Sequence, residues 1–188
     1  RGPQRMWYAC DVKVHRDYRR TRIPSKMFVK AFPVNYLRCP RGYGISMNPG
    51  DGSSNRAVKV FQQLPFIPIQ AHQIIGLVSL DAEKMRAVHP LLEAHRGPVS
   101  YLSLEGIKDI ILESTGAPMP LLHAQFGPCA QHGYDTPIDG HTHMFCAPIE
   151  DPLFRDLATM NIEPSSTATI IEHRMQGCDW RFILTSDI

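Results

Sequence analysis

The feature that most constrains the fold is the run Ile138-Asp139-Gly140-His141-Thr142-His143-Met144-Phe145, because of where it falls. Two histidines one residue apart in an apolar run read as a strand. Residues i and i+2 of a strand share a face, so His141 and His143 are expected to point the same way. Imidazoles placed so serve either as metal ligands or as a nucleophile and its helper. Only 45 residues follow His143 in a chain of 188, so most of the architecture must be built before this strand. A chain of this length is most simply one domain with a substantial core.

Hydrophobic residues make up 43 % and charged residues 20 %, the balance of a globular protein. No apolar run approaches the roughly 20 residues that span a bilayer. The polar start, Arg1 to Arg5, lacks the apolar core of a secretory leader, so a cytoplasmic location without membrane contact is expected. Cys10, Cys39, Cys129, Cys146 and Cys178 are widely spaced, with no CxxC pair. That argues against a disulfide framework and fits thiols kept in a reducing compartment. The net charge of +2 hides an uneven distribution, since eleven Lys and Arg lie in residues 1–41 against Asp11 and Asp17. Such a segment attracts a phosphate-bearing ligand or a nucleic acid, or is simply a solvated arm. Sparse aromatic interleaving and the lack of a nucleic-acid motif argue against nucleic acid.

Along the chain, residues 7–15 and 27–37 read as strands interrupted by Pro24 and Pro33. Residues 48–55 form a loop by every turn signal, and Val58, Val60 and Phe61 open another extended stretch that continues to Ile69. A helix is expected from Ser79 or Asp81, with Met85, Val88, Leu91 and Leu92 at helical spacing and Pro90 kinking it or ending it early. A second is expected from Ser103 to Gly116. Then come a strand over 120–126, a loop over 127–140, the histidine strand to Ala147, and a closing hairpin of 169–175 with 180–185. This order predicts an α+β fold, an antiparallel sheet of about five or more strands with two main helices packed on it.

The Ile-Asp-Gly-His-Thr-His string looks like the first-strand metal motif of the amidohydrolase superfamily. Those enzymes are barrels of about 250 residues that the motif opens, and no barrel fits behind His143. The order of elements instead resembles the histidine triad (HIT) superfamily of nucleotide hydrolases and transferases over roughly residues 58–150. Pro68-Ile69-Gln70-Ala71-His72 approximates that family's Pro-x-x-His step, and His141-Thr142-His143-Met144-Phe145 its histidine strand. The chain then divides into a basic N-terminal extension with edge strands (1–57), a HIT-like core (58–150) and a C-terminal hairpin (151–188), within one domain.

The resemblance implies that His143 is the nucleophile attacking an α-phosphorus and that His141 orients it. It also implies a nucleotide or related phosphorylated substrate, no cofactor, and a homodimer. Phe145 departs from the pattern, because it stands where the family has histidine or glutamine and can neither donate to a phosphate oxygen nor pass a proton. His132 is a candidate to replace that missing histidine. Gly127, Gln131, Asp139, Phe145 and His72 are expected around the substrate, with loop N–H groups as donors and Asp139 setting a histidine tautomer. Two alternatives compete with this reading. One is a metal-dependent hydrolase or lyase holding a divalent transition metal through His141 and His143, with His123, His132, Asp135 or Asp139 completing the shell. The other is a HIT-like scaffold that binds a nucleotide or partner without catalysis.

Overall fold

The computed structural model describes residues 5–10, 14–18, 21–63, 69–104, 110–112, 114–130 and 132–188. In chain order the elements are β1 (Trp7–Ala9), α1 (Ile23–Arg38), β2 (Gly42–Met47), α2 (Arg56–Gln62), β3 (Gln70–Leu80), α3 (Ala82–Arg96), β4 (Val99–Leu102), β5 (Ile110–Ile111), β6 (Pro118–Met119), β7 (Leu121–Phe126), β8 (Thr142–Pro148), α4 (Pro152–Thr159) and β9 (Ser166–His173). They group into two compact units, Arg1–Gln73 with Ala168–Cys178, and Ile74–Thr167 with Asp179–Ile188.

In the first unit, β2 pairs in parallel with β1 and antiparallel with β9, with Gly42 opposite both Trp7 and His173. A Cβ on Gly42 would collide with the Trp7 indole, so a side chain there would displace the ring. Residues 27–37 are not a strand but part of α1. Pro24 stands in its first turn, where a missing N–H is no loss. Phe28, Phe32 and Tyr36 then fall at i, i+4 and i+8 on one face. Phe32 lies 5.5 Å from Phe28 and 5.6 Å from Tyr36 between ring centroids, and Trp7 meets Phe28 and Phe32 edge-on at 6.4 and 6.0 Å. This aromatic face holds the helix although Pro33 inside it forgoes a backbone bond. The extended stretch expected at 58–61 is also helical. Asn55 caps α2 by accepting from the N–H groups of Ala57 and Val58 at 3.0 and 3.4 Å, and Phe61 packs 4.8 Å from Phe28.

In the second unit the strands lie in the order β3-β8-β7-β4, with β8 antiparallel to β3, β7 parallel to β8 and β4 antiparallel to β7. Met85, Val88 and Leu92 of α3 and Leu153 and Leu157 of α4 join Val78, Leu80, Leu122, Ala124, Phe126 and Phe145 in one core. The start of α3 is as expected, with Asp81 accepting from Lys84 N–H at 2.8 Å. Pro90 does not end it, and the helix runs to Gly97 at φ 79°.

Several expectations change here. The helix from Ser103 to Gly116 is replaced at its far end by the β5–β6 hairpin, turning at Gly116, while residues 105–109 and 113 lie outside the described residues. The hairpin of 169–175 with 180–185 does not form. Its first half is β9, paired with β2, and its second half coils into two short 3-10 turns. The α+β class stands, but strand pairing is mixed rather than antiparallel, and the described residues hold four helices rather than two. No helix among the described residues is long and apolar enough to cross a membrane.

Candidate functional site

His143 is the second residue of β8, opposite Leu80 of β3 and paired with Leu122 of β7. Paired residues share a face, so the imidazole points with these leucines into the core and has no exposed surface. Ile138 N–H donates to its Nε2 at 3.0 Å, which leaves the proton of the neutral ring on Nδ1. Among the described residues that Nδ1 is buried without a hydrogen-bond partner. Burial first, then the charges of His141 and Arg86, pull the His143 pKa below the ordinary imidazole value. The carbonyls of Leu80 and His141 act in the opposite sense without closing a hydrogen bond to Nδ1.

The Tyr101 ring stands edge-on to His143, centroids 5.2 Å apart. Its hydroxyl meets His89 Nδ1 at 2.8 Å, and His89 Nε2 faces Glu93 Oε1 at 3.5 Å. Glu93, His89 and the Tyr101 hydroxyl thus form a polar chain inward from the α3 surface, and the Tyr101 ring, not its hydroxyl, abuts the buried histidine. Burial, reinforced by the Glu93 charge, raises the Tyr101 pKa well above its ordinary value. One turn earlier on α3, Arg86 donates to Asp139 Oδ1 at 2.7 Å and to the Pro137 carbonyl at 3.3 Å. The segment 137–139 is therefore clipped to α3 by Arg86 and to β8 through the Ile138 amide.

The remaining candidates disperse. His141 precedes β8, partly exposed, with its Nδ1 3.2 Å from the Asp139 carbonyl. The Asp139 carboxylate faces Arg86, so the tautomer of His143 is set by a backbone amide instead. His132 is exposed, and its carbonyl accepts from Ser100 Oγ at 3.3 Å. Gly127, in the left-handed region at φ 52°, has committed its N–H to the Pro98 carbonyl at 2.8 Å. Phe145 is wholly buried opposite Val78 in the core. His123 is paired with Met144, which puts it on the other face of the sheet from His143, where its Nδ1 lies 2.8 Å from Thr185 Oγ1. Gln131 and the side chain of His72 lie outside the described residues.

Among the described residues no group of three or more His, Cys, Asp or Glu side chains could hold a metal ion. The set His141, His143 and His123 is divided between the faces of the sheet. What sequence reasoning missed is the set Arg86, His89, Glu93 and Tyr101. Its signal was present, since positions 86, 89 and 93 share one stripe of an α-helix. Comparison with protein-family models, curated proteins and solved structures returned no match.

Proposed function

We propose that this chain binds a nucleotide or related phosphorylated small molecule and performs no chemistry at His143. The observation that carries this reading is the state of the imidazole. A nucleophile needs a free electron pair that substrate can reach. In His143 the Nε2 pair accepts the Ile138 amide at 3.0 Å, and the ring is fully buried. Phe145, in the core, leaves the strand without a third donor for a phosphate oxygen. The phosphate character of the ligand draws on the basic bias of residues 1–41.

A second reading keeps metal-free nucleotidyl transfer through His143. It is favoured by the buried, unpartnered Nδ1, a group that would gain a role if the 137–141 segment swung away and released Nε2. Release of nucleoside monophosphate from nucleoside phosphoramidates and dinucleoside polyphosphates, with and without EDTA, separates the two. Expected is no release above background, with ADP bound alike by the wild type and His143→Gln. EDTA-resistant release that His143→Gln abolishes would establish the second reading instead. Release lost in EDTA and restored by a transition metal would establish metal-dependent hydrolysis.

A further inference from the structure

Three of the eleven basic residues in the first 41, joined by Arg174 from later in the chain, meet at one place. A cleft of about 610 Å³ in the first unit is lined by Arg5, Arg38, Cys39, Pro40, Arg41, Arg174 and Gln176. Four of these seven residues are arginines and none is acidic. Arg38 ends α1, Arg41 immediately precedes β2, and Arg174 immediately follows β9. Because Gly42 is opposite His173, the antiparallel register brings Arg41 and Arg174 to adjoining strand ends.

The main chain around the cleft is tied down. Trp7 N–H donates to the Arg41 carbonyl at 3.1 Å, and Cys39 N–H to the Asn35 carbonyl at 2.7 Å. The Cys39 thiol bridges the carbonyls of Arg5 and Arg41 at 3.0 and 3.5 Å. Arg174 adopts φ 54°, a backbone state side-chain-bearing residues rarely take, and its guanidinium lies 5.4 Å from the Tyr36 ring centroid. Such local strain clusters at binding elements. Among the described residues, Arg5, Arg38 and Arg174 enter no ion pair.

We infer that this cleft is an anion site for the diphosphate or triphosphate group of a small molecule. Guanidinium forks match phosphate oxygens two by two, and several forks suit a chain of phosphoryl groups better than one isolated anion. The volume falls within the roughly 300–1,000 Å³ of small-ligand pockets. Nucleic acid is disfavoured because the arginines gather at one cavity instead of tracking along a groove with stacking rings.

The test is calorimetric titration of the full chain with inorganic pyrophosphate, ADP and a single-stranded oligonucleotide. Expected is binding of pyrophosphate and ADP, weakened about tenfold or more by Arg38→Gln and by Arg174→Gln. Arg174→Lys should fall between, since it keeps the charge and loses the fork. Arg181→Gln, outside the cleft, should bind like the wild type. Circular-dichroism melts check folding, and Arg38→Gln carries the test should Arg174→Gln melt early. Unchanged pyrophosphate affinity in Arg38→Gln would overturn the inference. So would oligonucleotide binding that strengthens with length and is not competed by pyrophosphate. The inference rests on the binding reading above, yet the two fail separately. Turnover through His143 would end that reading and leave pyrophosphate in the cleft. ADP binding indifferent to the arginines would end the cleft assignment and leave the reading.

Discussion

A neutral imidazole sealed from water resists taking a proton, and His143 carries that resistance into the stability of the fold. Unfolded, it titrates near 6.5, whereas burial and the neighbouring charges of His141 and Arg86 hold its folded value lower. Between the two values the unfolded chain binds the extra proton. The contribution of His143 is therefore complete above about 6.5 and is lost as pH falls through that window toward the folded value. Thermal melts should drop as the buffer is taken from neutral to about pH 5, and His143→Gln, which keeps an acceptor for the Ile138 amide without a titrating ring, should show a shallower drop. Equal slopes would place the acid sensitivity elsewhere. At this scale the sequence was half legible. The i, i+2 spacing marked the position, but β8 begins at Thr142, so His141 stays outside the strand. Which face His143 would meet depended on the pairing with Leu80 and Leu122, contacts far along the chain that no local pattern encodes.

Among the elements, the start of α3 was legible because its signals agree, an aspartate cap followed by an apolar stripe, whereas its continuation past Pro90 to Gly97 ran against the expected early end. Over 27–37 the nearly continuous apolar run fits an extended segment as well as a helix, and tertiary stacking among Trp7, Phe28, Phe32 and Tyr36 selects the helix α1. The short helix α4 shows only Leu153, Phe154 and Leu157 as an apolar stripe, yet Asp151-Pro152 is a helix start in miniature. That aspartate ties two elements together. It accepts from Leu153 N–H at 2.9 Å at the start of α4, and from Arg96 Nη2 at 2.7 Å in the last turn of α3. Both side chains are almost fully buried, and Arg96 Nε also donates to the Arg181 carbonyl at 3.1 Å. Removing one partner of such a pair strands the other charge in the interior. Asp151→Ala should therefore cost about 3–5 kcal/mol in urea unfolding, and Asp151→Asn less because it retains the cap. A loss well under about 1 kcal/mol for Asp151→Ala would mean that the Arg96 charge is solvated in the variant.

On the scale of the whole chain, apolar burial is distributed as unevenly as charge. Among the described residues the first unit contributes only Ala168, Ile170, Ile171 and Met175 to the buried hydrophobic set, and α1 and α2 bury no residue fully. Met27, Val29, Val34 and Leu37 of α1 are exposed. The second unit holds the continuous core of Val78, Met85, Leu92, Phe126, Phe145 and Leu157. Regions with few buried apolar contacts open at lower free energy than the core, so the two units should not resist denaturant equally. The two tryptophans report on this directly, Trp7 lying in the first unit and Trp180 in the second. Urea titrations of Trp180→Phe and Trp7→Phe, followed by fluorescence, isolate each signal. The Trp7 transition should have its midpoint at lower urea than the Trp180 transition. Saturating pyrophosphate, bound in a cleft that belongs to the first unit, should raise the Trp7 midpoint more than that of Trp180. Coincident midpoints that move together would mean that the chain unfolds as one cooperative body in spite of its uneven core.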